Sequence, residues 1–200
     1  MQPSHYISVH LRPVAGTSIW DLASAVVRQV HGHLQDAPGS VALALPGMKE
    51  GSPPHPGRVF QVFSDESLDL GAVMGRINGL RSMSDMLHVD RSIHAVPEGI
   101  EEWAAFTRFR VPNRGRRARD TDACFANRSR ARAEAVAEAE QLPTIPWRTA
   151  RDKGGSFGLS IRRMPAEPGV PLEQGALNGY GLSSAAHPFW LPVLRQGGEK

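Results

Sequence analysis

The chain has one cysteine, Cys124, among 200 residues. That excludes an internal disulfide and a thiolate-rich zinc centre, and it favours a reducing compartment. No apolar run is long enough to span a bilayer, and Met1-Gln2-Pro3-Ser4-His5-Tyr6 lacks the basic start and apolar stretch of a secretion signal. A cytoplasmic protein without membrane contact is expected. Also missing are a phosphate-cradling glycine loop, a Cys-x-x-Cys pair, a His-Glu-x-x-His helix and an obvious carboxylate cluster. Nucleotide hydrolysis and the common metalloenzyme chemistries are therefore set aside, and neither a metal nor a cofactor is expected.

Sixteen prolines and twenty glycines stand against 40% hydrophobic residues. Such a composition describes short elements separated by many turns, an α+β fold and not a helical bundle. Tyr6-Ile7-Ser8-Val9-His10-Leu11-Arg12 alternates, with Ile7, Val9 and Leu11 on one face, and ends at Pro13 as a half-buried strand. Thr17-Ser18 offers an N-cap before Ile19, Ala23, Val26, Val27, Val30 and Leu34, a helical stripe that predicts a helix over 19–35. Pro38-Gly39 breaks it, and strands follow at 41–45 and 58–63, with a loop of four prolines and three glycines between them. A second helix over 65–78 and a short strand over 89–96 complete a β-α-β-β-α-β order, which is ferredoxin-like. Residues 1–96 form this first domain and 97–200 a second. There Phe106-Thr107-Arg108-Phe109-Arg110-Val111 alternates and sends Arg108 and Arg110 from one face of a strand. Residues 121–140 form an alanine-rich helix with almost no apolar stripe, exposed or bound to something, and residues 156–163 a further strand.

Charge is distributed unevenly. Between Arg108 and Arg132 stand nine arginines (108, 110, 114, 116, 117, 119, 128, 130 and 132) against Asp120 and Asp122, while the rest of the chain holds fourteen cations against eighteen anions. A concentrated cationic segment on an otherwise acidic chain points to a polyanionic partner, and arginine's planar fork suits phosphates and guanine edges. The remaining chemistry-bearing groups are histidines, hydroxyls and arginines, the set that metal-independent RNA cleavage needs: a base for the 2′-hydroxyl proton and cations for the developing charge. On the first helix, about 100° per residue places His31 on one margin of the stripe and His33 nearer its centre on the other side, so His31 is the more exposed. Two residues apart on a helix they do not face each other, which disfavours a shared metal.

With these residues in view, the chain resembles the CRISPR repeat-processing endoribonucleases of type I-F systems, the Csy branch of the Cas-six ribonucleases. The resemblance rests on His5-Tyr6-Ile7-Ser8-Val9-His10-Leu11-Arg12-Pro13, on His31 in the helix that follows, and on Gly179-Tyr180-Gly181-Leu182-Ser183 with Pro188-Phe189-Trp190 near the C-terminus. It implies a ferredoxin-like N-terminal domain and a C-terminal domain whose arginine-rich helix lies in the major groove of a CRISPR repeat RNA hairpin. Cleavage then falls at the 3′ base of the stem, leaves a 2′,3′-cyclic phosphate, and leaves the enzyme bound beside the other subunits of an interference complex.

By the same resemblance His31 is the base, Thr149 stands where the family has a catalytic serine, Tyr180 is the active-site tyrosine, and Phe157 stacks under the last base pair. Arg114, Arg116, Arg117, Arg119, Arg128 and Arg132 belong to the groove-binding region. Pro112 and Gly115 disfavour an early helix start, which leaves Arg114 to Arg119 as a basic loop before a helix beginning near Thr121. Arg108 and Arg110 replace an arginine–glutamine pair, and arginine's match to guanine predicts two guanines. Two other readings stay open at this level: a hairpin-binding subunit that anchors a guide RNA without cutting it, and an RNA-binding module outside CRISPR.

Overall fold

A computed structural model describes residues 1–112, 122–148, 156–167 and 173–194. Two antiparallel sheets and three helices make an α+β fold. In the first half, β1 (His5–Leu11), β2 (Ala42–Ala44), β3 (Val59–Ser64), β4 (Leu87–Val89) and β5 (His94–Ala95) form one sheet with α1 (Ile19–Asp36) and α2 (Ser67–Asn78). Its order is β2-β3-β1-β4, and β5 pairs with the same edge of β1 as an outlier of that path. The second sheet runs β7-β8-β6-β9, from β6 (Trp103–Phe109), β7 (Thr144–Arg148), β8 (Ser156–Pro165) and β9 (Leu191–Pro192), and α3 spans Asp122–Ala139.

Register follows the alternation. Ile7, Val9 and Leu11 are buried and meet Val62, Phe60 and the apolar face of α1, where Leu22, Ala23, Val26, Val27, Val30 and Leu34 are buried. Ser18 caps α1: its hydroxyl accepts from the Asp21 N–H, and the Asp21 carboxylate accepts from the Ser18 N–H, a reciprocal pair that satisfies two helix-end donors. Buried residues of both sheets form a single continuous cluster, running from Ile7 through Leu43 to Phe106, Ile145 and Ile161. The cross-links are specific: Ser24 Oγ donates to the Pro146 carbonyl at 2.7 Å, and the Leu43 N–H donates to the Gly181 carbonyl at 2.8 Å.

Two expectations need correction, and one strand was not expected. The strand over 89–96 is two short pieces, β4 and β5. Between them the Asp90 carboxylate, in place of a backbone carbonyl, accepts from the Ser8 N–H at 2.9 Å and interrupts the ladder. The strand carrying Arg108 begins earlier, at Trp103, and stops at Phe109, so Arg110 lies one residue beyond it. Strand β7 has no counterpart among the expected elements, and Pro146 sits inside it. As an edge strand of its sheet it tolerates the missing donor there.

Candidate active site

His31 lies half-exposed near the end of α1, while His33, two residues on, is 5% exposed and points into the protein. His33 Nε2 is 3.1 Å from the Asp69 carboxylate on α2 and 3.0 Å from Ser40 Oγ, a satisfied buried histidine. His31 instead meets the segment 178–183. Its Nδ1 donates to the Gly179 carbonyl at 2.5 Å. A carbonyl can only accept, so Nδ1 carries the proton and, in the neutral ring, Nε2 keeps its lone pair. That tautomer is the one a proton-abstracting imidazole needs.

The carbonyl is held in place by a compact loop. Asn178 Oδ1 accepts from the Tyr180 and Leu182 N–H groups at 2.9 and 3.3 Å, and the Gly181 N–H returns to the Asn178 carbonyl at 3.0 Å. Gly181 has φ of +71°, a left-handed conformation that glycine adopts without strain. Its carbonyl holds β2 through Leu43, and the Ser183 N–H donates to Phe106 of β6 at 2.7 Å. The loop is thus clamped between the two sheets, one side against α1 and the other against Arg108.

Around His31 the aromatic side chains converge. Tyr180 stacks on the imidazole at 4.9 Å with 20° between planes. Trp147 stands edge-on to both, 5.1 Å from His31 and 5.0 Å from Tyr180. Phe157, the cross-strand partner of Trp147 in the β7–β8 ladder, lies 6.2 Å from the indole. The guanidinium of Arg108 completes the group, 5.0 Å over Phe157 and 5.2 Å over Tyr180. Burial lowers the pKa of Arg108, as does the neighbouring charge of Arg110, while Tyr180 opposes the shift.

Of the residues expected from sequence, His31, Tyr180, Phe157 and Arg108 are brought together although 149 residues separate the first two. Arg110 is exposed at the end of β6. Arg128 and Arg132 lie one turn apart on α3, where Arg132 donates to the Pro112 carbonyl. Thr149, Arg114, Arg116, Arg117 and Arg119 fall outside the described residues. Trp147 was not singled out from sequence. Its signal was available, a tryptophan two residues before Thr149, but nothing local shows that a residue after Pro146 will face His31. Among the described residues no group of three or more His, Cys, Asp or Glu side chains is placed to hold a metal, and no helix is long and apolar enough to cross a membrane.

The sequence profile of a family described as CRISPR-associated protein (Cas_Csy4) matches residues 6–190. A comparison with curated proteins found no match. The profile match covers α1, the loop that holds His31 and every strand of the two sheets except β9, which follows it, and the first residue of β1.

Proposed function

Because the chain belongs to the Csy4 family of CRISPR-associated proteins, the type I-F repeat-processing endoribonucleases whose partner is CRISPR repeat RNA, we propose that it is a metal-independent nuclease using His31 as its base. The observation that carries this is the bond from His31 Nδ1 to the Gly179 carbonyl, which leaves Nε2 as the acceptor.

In this reading Nε2 takes the proton of a 2′-hydroxyl, and the 2′ oxygen forms a bond to the adjacent phosphorus. The bond from phosphorus to the 5′ oxygen then breaks, and the departing oxygen takes up a proton. The products are a 2′,3′-cyclic phosphate and a free 5′-hydroxyl, formed at the 3′ base of the repeat hairpin. Tyr180 orients His31 by stacking, Thr149 holds the attacking hydroxyl, and Phe157 stacks under the last base pair. Arg108 and Arg110 read guanines, while Arg114, Arg116, Arg117, Arg119, Arg128 and Arg132 neutralise phosphates along the groove.

The β-α-β-β-α-β order and the β2-β3-β1-β4 arrangement support a ferredoxin-like first half, and α3 with its arginines supports a groove-binding helix. The enzyme stays on its product as a subunit of a crRNA-guided interference complex in the cytoplasm, beside the other subunits. A repeat hairpin carrying a single 2′-deoxy nucleotide at the cleavage position tests the chemistry. It should bind with unchanged affinity and remain uncut, whereas cleavage of that RNA would overturn the 2′-hydroxyl attack.

A further inference from the structure

Arg108 has an unusual place for a residue that must reach a nucleic acid. Its guanidinium belongs to a half-buried residue and, among the described residues, is paired with no carboxylate: it lies over Phe157 and Tyr180 at 5.0 and 5.2 Å. Burial depresses its pKa, as befits a cation partly withdrawn from water. Phe157 and Tyr180 are half-buried, while the neighbouring Trp147 is only 7% exposed. A base arriving beside His31 would stack on these two rings, and the guanidinium covers them.

We propose that Arg108 determines specificity by displacement: in the unbound protein it occupies the aromatic faces of Phe157 and Tyr180, and it gives them up only to a stem whose base can hold the guanidinium elsewhere. This rests on the hairpin-binding reading above. Guanine alone offers two adjacent major-groove acceptors, O6 and N7, that match the guanidinium fork. Adenine puts a donor beside its single acceptor, and cytosine presents a donor. With those bases, and with the single O4 acceptor of uracil, Arg108 gains at most one bond by leaving, so the rings stay covered and the hairpin docks without its stacking contact. Discrimination then has two parts, a gain for guanine and a cost laid on every other base. Arg110, exposed and beyond the strand end, has no such contact among the described residues and reads its base without this cost.

The two parts separate on removing the side chain. Two partly desolvated cation–aromatic contacts correspond to roughly 5- to 30-fold in affinity. Binding of the full-length protein would be measured with four repeat hairpins whose last stem pair is G·C, C·G, A·U or U·A. The salt would be about 0.5 M, where the loss of one cation contributes little. Arg108→Ala should bind the guanine hairpin more weakly than wild type, and the best-stacking non-guanine hairpins roughly 5- to 30-fold more tightly. Arg108→Gln, which keeps a polar chain of similar reach, should show the same gain with a preference moved towards adenine. Equal or weaker binding of every non-guanine hairpin by both variants would overturn the proposal, leaving Arg108 a reader that covers nothing. If wild type and both variants bind no hairpin at all, the hairpin-binding reading itself falls, and this proposal with it.

Discussion

Trp147→Ala should cost stability and cleavage together, because one side chain serves both. The indole is 7% exposed and stands edge-on to His31 and Tyr180, with Phe157 across the ladder. Truncating a buried tryptophan costs about 3–5 kcal/mol, since the site collapses only partly around the void. The two edge-on pairs account for about 1–3 kcal/mol of that. Domains of this size hold about 5–15 kcal/mol in total, so the variant would keep its fold with much of its margin gone. Trp147→Phe keeps a ring against both neighbours and should lose only about 1–2 kcal/mol. Urea unfolding followed by circular dichroism gives both numbers from the midpoint and slope. In native buffer, Trp147→Ala should also cleave a repeat hairpin more slowly than Trp147→Phe, because the wall shared by His31 and Tyr180 is lost. An alanine variant within about 1 kcal/mol of wild type would refute the packing account, and equal cleavage by the two variants would refute the link to the site.

Two further outcomes follow from the geometry. Gly181→Ala places a Cβ 3.3 Å from both Leu43 N and the Val41 carbonyl at a φ of +71°, so about 1–2 kcal/mol of stability should be lost. Because the Gly179 carbonyl moves with the loop, single-turnover cleavage should fall by a larger factor than stability alone explains, with hairpin affinity retained; unchanged cleavage would contradict the clamp. Partial burial, then the charges of Arg58 and Lys49, lower the pKa of His55, and its Nδ1 accepts from the Gly57 N–H at 2.9 Å. Its folded pKa lies below the ordinary value of about 6.5, so the unfolded chain binds the proton more readily and stability falls as pH drops below about 6.5. His55→Gln should shrink the loss of urea midpoint between about pH 7.5 and 5.5, and an identical loss in variant and wild type would contradict it.

The first half of the chain is legible because its signals are local. The capping box at Ser18, the stripe from Leu22 to Leu34 and the alternation from Tyr6 to Leu11 each specify an element without help from distant residues. The half-exposed position of His31 was readable for the same reason, as the margin of that stripe. What escaped depends on partners far along the chain. The break between β4 and β5 comes from Asp90 reaching Ser8, 82 residues away. Pro146 reads as a strand breaker until β7 is known to be an edge. The position of His33 follows from helix geometry, but its partner Asp69 belongs to another helix. Above all, the tautomer of His31 is set by Gly179, 148 residues away, and helix geometry alone shows an exposed imidazole with no preferred nitrogen.

That tautomer and its consequence are the centre of the account, and one measurement reaches them most directly. A labelled repeat RNA from the same genome would be incubated with wild type and with His31→Ala in excess EDTA, and the product ends identified. Wild type should cut once at the 3′ base of the stem and leave a cyclic phosphate, while His31→Ala binds the hairpin with unchanged affinity and leaves it whole. Cleavage by His31→Ala at the wild-type rate, or wild-type binding with no cleavage at all, would contradict it and leave the protein an anchor for its RNA or an enzyme with a different base.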